Sequence, residues 1–284
     1  MSGAATQAVT EAATQQAQSA GSGFSVTDLI MGHITDGHEI EIPMTHVAIP
    51  LPHLHVGAFD LSITRNVVMM WIASGILVTV ALVAARRAAD PVPSGFRNLL
   101  EAFIKYFRDE IARKLIGHDA DRYLPYLITC FFFIWTCNLL GLIPGFATPT
   151  GDISVTACLA VLAFLMIQAA GIKQYGAVTH FRNIVPGGLP LWLYPIMIPI
   201  EILSVLTKPF ALCVRLFANM TAGHVVIIGM ISLIFILQSA WAAAVAVPFT
   251  LFIFVLELLV CFLQAYIFTT LVATFIGMSV HPAH

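Results

Sequence analysis

The hydrophobic positions of this chain fall into long blocks rather than alternations. "NVVMMWIASGILVTVALVAA", "YLPYLITCFFFIWTCNLLGLIPG" and "ISVTACLAVLAFLMIQAAGI" are each long enough for the roughly 20 residues that cross a ~30 Å hydrocarbon core. Two further blocks, 189–238 and 241–279, are far longer. A helix of about 40 residues at ~1.5 Å per residue measures ~60 Å, twice that thickness. These blocks are therefore expected to tilt, break, or both. Pro195, Pro199 and Pro209 offer kinks in the first and Pro248 in the second. A turn near "QSAW" makes the pair a hairpin. One stretch has a different pattern. In "FRNLLEAFIKYFRDEIARKLI", residues Phe96, Leu99, Leu100, Phe103, Ile104, Phe107, Ile111 and Leu115 share one helical face, and charges take the other. It reads as a helix lying on the membrane surface, or as one whose apolar face docks on a partner helix. The pattern as a whole predicts an all-α polytopic membrane protein. About five helices cross, one amphipathic helix lies on the surface, and the last two form a long tilted hairpin. Residues 1–64 are expected to be a soluble tail and 65–284 the membrane domain.

Composition agrees. Only 10% of the residues are charged, against about 25% in a soluble domain. The beginning, "MSGAATQAVTEAATQQAQSAGSG", has no basic region followed by an apolar one, and no arginines. It reads as neither a signal nor a transit peptide, and is expected to be disordered.

The basic residues are segregated. Residues 1–64 contain none, whereas Arg86, Arg87, Arg97, Lys105, Arg108, Arg113, Lys114 and Arg122 fall in one loop and Lys173 and Arg182 in a second. The positive-inside rule places both loops and the C-terminus inside and the tail outside.

Several chemistries find no support. There is no G-x-x-x-x-G-K-[ST], nucleophile elbow or HExxH, so neither a P-loop nucleotide site nor a catalytic site is expected, and no cofactor. The five cysteines sit in apolar runs without a CxxC pair, which argues against a disulfide framework or a metal site. His33, His38, His46, His53 and His55 are irregularly spaced and read as a solvated histidine-rich stretch.

What stands out is the polar content of the two long blocks. Glu201, Lys208 and Arg215 are spaced by seven, so they drift only ~20° per step and form one stripe. Asn219 stays near it, whereas His224 faces nearly the opposite side of a straight helix. Glu257 and Gln264, also seven apart, form a stripe on the second block. An arginine at the centre of a bilayer costs about 2.5–3.5 kcal/mol on insertion scales. Glu201 or Glu257 could neutralise it as a structural ion pair. Lys208 reads as a snorkelling anchor, and Asn219 and Gln264 could be interhelical glue. Yet so many polar groups on one hairpin point to lined aqueous paths. A secondary transporter or channel using the arginine to bind an anion is the competing class. No inverted repeat supports it.

"LTKPFALCVRLFANMTAGH" and "ELLVCFLQAYIFTTL", with "NLLGLIPG" and "PTGDISVT", closely resemble subunit a of the rotary F-type ATP synthase, in its F0 sector. The match covers roughly residues 60 to 279. The resemblance implies that the family's essential arginine is Arg215, its partner asparagine Asn219, its glutamine on the last helix Gln264, and its inner carboxylate Glu201. Many bacterial members carry glutamate where this chain has His224 and histidine where it has Glu257; here the pair is exchanged, as in mitochondrial members. The implied role is a non-catalytic, proton-translocating stator subunit with two offset half-channels. Protons arrive from outside past His224, Glu257 and Asn219, protonate a carboxylate of a rotating ring, and leave near Glu201. The implied partners are a ring of c subunits, b-type peripheral stalk subunits and membrane lipid, with no nucleic acid and one copy per complex. The implied location is the bacterial inner membrane, or an energy-transducing organelle membrane. The resemblance leaves the coupling ion open between H⁺ and Na⁺.

Overall fold

The computed structural model describes residues 64–86, 95–143, 146–182, 194–237 and 240–281, with 39–41, 48–50, 55–56, 59–60 and 62 before them. Its helices follow the apolar blocks. They are α1 (Arg65–Arg86), α2 (Phe96–Tyr106), α3 (Arg113–Ile116), α4 (Ala120–Gly141), α5 (Ile153–Tyr175), α6 (Ala177–Arg182), α7 (Tyr194–Leu237) and α8 (Ala240–Val280). Five helical stretches are long and apolar enough to cross a membrane, and the chain is an all-α polytopic membrane protein. Ahead of them lie two short antiparallel ladders that the sequence pattern does not announce. β1 (Glu39–Glu41) pairs with β2 (Ala48–Pro50), and β3 (His55–Val56) with β4 (Phe59–Asp60). Strands this short carry too few alternations to register as a period of two. The low-complexity tail and His33, His38, His46 and His53 lie outside the described residues.

The helix ends have local causes. Gly117, at φ 83°, closes α3, and Gly176, at φ 79°, closes α5; both need the left-handed region that glycine enters freely. Asp152 caps α5, its Oδ1 accepting from the Ser154 N–H at 2.8 Å. Its other oxygen accepts from Asn66 Nδ2 at 3.1 Å, which ties the start of α5 to the start of α1.

Each of the long blocks runs as a single helix. α7 has 44 residues and runs unbroken through Pro199 and Pro209, and α8 has 41 and runs unbroken through Pro248. Pro195 sits in the first turn of α7, where its missing N–H leaves no bond unmade. Of the two alternatives, tilt or break, neither helix takes the break: one proline deletes one rung of the ladder, and a long intramembrane helix keeps the rest.

The amphipathic stretch also resolves. α2 continues through a π-helical segment, Phe107–Ala112, into α3. The wider turn brings Phe107, Ile111 and Ala112 all inward. Together with Ile116 they are buried against α4 and α8. Phe107 meets Phe131 of α4 at 4.5 Å between ring centroids, and Phe131 meets Phe262 of α8 edge-on at 5.6 Å. Of the two readings offered by the pattern, the structure shows the docked one over this half, and the partner helices belong to the same chain. Leu99 and Ile104 on α2 remain exposed. The polar face carries ion pairs: Arg108 with Asp121 through two bonds of 2.7 and 2.9 Å, Arg113 with Asp109, Lys105 with Glu101, and Lys114 with Glu110. Exposed pairs of this kind contribute about 0–1 kcal/mol each, so aromatic burial rather than charge holds the helix down.

α8 is the centre of the bundle. It packs on α7, α4, α5 and α3. Its last turns are held closely by glycines. A Cβ on Gly277 would lie 2.0 Å from the Leu115 carbonyl oxygen, and one on Gly171 of α5 would lie 2.3 Å from Ser279 Oγ and 2.2 Å from the His180 ring. Ser279 donates to the Ile167 carbonyl, Tyr175 to that of Val280, and His180 Nε2 pairs with Gln168 Oε1 at 2.7 Å. Burial holds the His180 imidazole below its usual pKa. Because the Leu115 carbonyl is backbone and cannot swing aside, Gly277→Ala should lower stability by about 1–3 kcal/mol. The check is the thermal midpoint of the detergent-extracted protein; an unchanged midpoint would show that this contact does not fasten α8.

Apolar side chains cover the outer surface, among them Trp71, Val78 and Leu82 on α1, and Leu251, Phe252 and Leu259 on α8. α1 buries only Asn66, Met69 and Ala73, all in its first half.

Candidate functional site

The α7–α8 hairpin is antiparallel, and three contacts fix its register. Lys208 Nζ lies over the Phe275 ring at 5.1 Å from its centroid. Asn219 Nδ2 donates to Gln264 Oε1 at 2.8 Å. A Cβ on Gly223 would lie 2.2 Å from Glu257 Oε1, so the Glu257 carboxyl rests against the α7 backbone where glycine leaves room. The two stripes read from the sequence therefore do face each other, through Asn219 and Gln264. Lys208, expected as a snorkelling anchor, holds its ammonium over an aromatic face of the neighbouring helix.

Arg215 lies near the middle of α7. Its side chain is exposed. Among the described residues it has neither an ion-pair nor a hydrogen-bond partner; Gln264 accepts instead from Asn219, one turn along α7. The structural ion pair considered from the sequence is not formed. Ala211, Ala218 and Ala222, which share its helical face, are exposed too, so the guanidinium stands on a stripe of small residues.

Glu257 is buried at 4% exposure, and neither carboxyl oxygen has a hydrogen-bond partner among the described residues. Buried polar atoms are nearly always satisfied, so this carboxyl stands out among the described residues. His224 lies on the residue next to Gly223, and its Nε2 is 2.8 Å from Thr148 Oγ1. His224 thus faces the connection between α4 and α5, turned away from Arg215 as the helical wheel indicates. Glu201 is half-buried near the start of α7. At ~1.5 Å per residue, Arg215 stands ~21 Å from Glu201 and ~13 Å from His224 along the helix.

The structure also contributes residues that the sequence reading did not single out. Asn138 of α4 is fully buried, donates to the Cys261 carbonyl of α8 at 3.3 Å, and accepts from Thr150 Oγ1 at 2.6 Å. Thr148 and Thr150 flank the first residue of the short 3₁₀ turn Pro149–Gly151. An isolated asparagine inside an apolar span was the available signal for Asn138. The threonines gave none, since their partners are distant in sequence. All five cysteines are free.

Comparisons with known proteins identify the family of the chain. The model of the family "ATP synthase A chain" matches residues 67–277. "ATP synthase subunit a" of Chloroherpeton thalassium is 47% identical over 89% of this chain and 77% of its own length. "ATP synthase subunit a 2" of Chlorobaculum tepidum is 47% identical over 89% of this chain and 72% of its own. "ATP synthase subunit a" of Myxococcus xanthus is 46% identical over 85% and 80%. The family match spans α7, nearly all of α8 and the connection that meets His224, and the chain belongs to the ATP synthase A chain family, subunit a of the F-type ATP synthase.

Proposed function

We propose that this component of the ATP synthase complex carries the coupling ion, as protons, through two half-paths that open on opposite sides of the membrane and meet at Arg215. The observation that supports this most is the unpaired, exposed Arg215 at mid-helix, standing between two separate polar groups. On one side lie Asn219 with Gln264, Glu257 and His224; on the other lies Glu201. The first group serves as the outer half-path and the second as the inner one. Residues 86–122 and the C-terminus are then inside and residues 1–64 form an outer tail ahead of the membrane domain, as the basic residues require.

The exposed alanines beside Arg215 let another helix approach closely. The partner on that face is a ring of c subunits, each bringing one carboxylate. A guanidinium that cannot lose its charge favours the ionised carboxylate, so the proton leaves as the carboxylate arrives. The same fixed charge repels a proton hopping directly between half-paths. Stalk subunits of b type hold this chain still against the ring. The complex sits in the bacterial inner membrane, with one copy of the chain. The chain itself holds no nucleotide.

The test is purification of the chain from native membranes followed by ATP-driven pumping in reconstituted vesicles. A ring subunit should copurify, and pumping should acidify the lumen. A stand-alone oligomer that moves a solute without ATP hydrolysis would sink the reading in favour of a secondary transporter.

A further inference from the structure

We propose that Thr148 is a positioning residue for the His224 imidazole, and that position 141 is glycine so that the Thr148 hydroxyl can reach the ring. The proposal rests on the reading of His224 as a member of the outer half-path.

The geometry aims one hydroxyl from several directions. Thr148 Oγ1 lies 2.8 Å from His224 Nε2, although the two residues are 76 apart in sequence. Thr148 leads into the turn Pro149–Gly151, and its carbonyl accepts from the Gly151 N–H at 2.9 Å. Thr150 in that turn is pinned to the buried Asn138. Thr221, one turn before His224 on α7, reaches the Gly151 carbonyl at 3.5 Å. The turn is thereby tied to both α4 and α7, and Thr148 has little freedom to move relative to His224. Gly141 completes the arrangement. A Cβ there would lie 2.3 Å from Thr148 Oγ1 and 2.5 Å from its Cγ2, so any larger residue would push the threonine out of its place.

The chemistry explains why a hydroxyl is used. It both donates and accepts. It donates to Nε2 when that nitrogen is bare and accepts from Nε2–H when it is protonated. The bond therefore survives both halves of a proton-exchange cycle and holds the ring in one orientation throughout. It also fixes which nitrogen faces the connection between α4 and α5, so the other nitrogen is directed elsewhere.

The experiment compares Thr148→Val and Thr148→Ser in the assembled complex, using ATP-driven pumping in inverted vesicles normalised to ATP hydrolysis. Valine keeps the shape and removes the hydroxyl; serine keeps the hydroxyl and removes a methyl group. The expected result is pumping lowered about tenfold by valine, the scale of one lost hydrogen bond to a buried group, and largely retained by serine. Gly141→Ala should resemble valine. Normal pumping with valine, or a loss with serine as large as that with valine, would assign Thr148 to packing and overturn the proposal. Arg215→Ala is measured alongside. If it still pumps, the reading of the whole site fails; if it is dead while Thr148→Val is normal, only the role of Thr148 fails.

Discussion

Vesicles carrying Arg215→Ala should make no ATP from an imposed ion gradient, and Arg215→Lys should not restore synthesis. Among the described residues no side chain neutralises Arg215, so its charge faces whatever passes the exposed side of α7. Each elementary charge crossing the full potential is worth ~2.3 kcal/mol per 100 mV. A barrier between half-paths must hold against that drop in every working state. Guanidinium does so because it stays protonated even when stripped of water, and its planar fork can meet a carboxylate through two bonds. Lysine is a compact point charge that loses its proton more readily when desolvated. Alanine opens a leak, and lysine a conditional one. Synthesis in both variants should fall to background with the complex still assembled, as judged by copurification of the ring. Near-normal synthesis with Arg215→Lys would remove the gating role.

The second large effect concerns His224 and Glu257. Glu257→Gln removes the only acid of the outer group and should cut ATP-driven pumping about a hundredfold, the usual scale for losing a positioned acid–base group. The Glu257 carboxyl of α8 rests against Gly223 of α7, and His224 is the next residue of α7, so the two groups meet the same short stretch of that helix. Groups that exchange protons along one path behave as a unit rather than as independent sites. The exchanged variant, His224→Glu with Glu257→His, should therefore pump better than the two single losses combined would allow. Thr148 can serve either arrangement, since its hydroxyl bonds a carboxylate as well as an imidazole. The measurement is pumping in inverted vesicles for both singles and the exchange. Losses that simply add would mean that the two residues lie on different routes.

Much of this was legible before any coordinates. A charge inside an apolar block is rare enough to be noticed, and the helical repeat then says which charges share a face. Arg215, Glu201, Glu257 and Gln264 were found that way, and Asn219 and His224 through their angles to Arg215. The hairpin followed from the two block lengths and the turn near "QSAW" between them. Contacts made by ordinary residues across long sequence separations were not legible. Thr148 and Thr150 look like any loop threonines until the turn folds onto α7 and α4. The alternatives for the amphipathic helix could not be separated, because a face that fits lipid also fits Phe131 and Phe262. Proline left tilt and break undecided, because its local preference says nothing of the surrounding ladder, which carries α7 through Pro199 and Pro209. The absence of a partner for Arg215 could only be seen once Glu201 and Glu257 had positions.

The uneven bracing of the hairpin has a mechanical consequence. The end of α8 is clamped through Gly277, Ser279 and Val280, whereas α7 has no buried side chain before Leu212. Over its first eighteen residues α7 is thus the less embedded of the two helices at this end, with the contact of Lys208 on Phe275 as a tie to α8. If the chain stands against a rotor as proposed, a sideways load falls first on the segment that carries Glu201, while the Asn219–Gln264 bond lies beyond the first buried residues of α7.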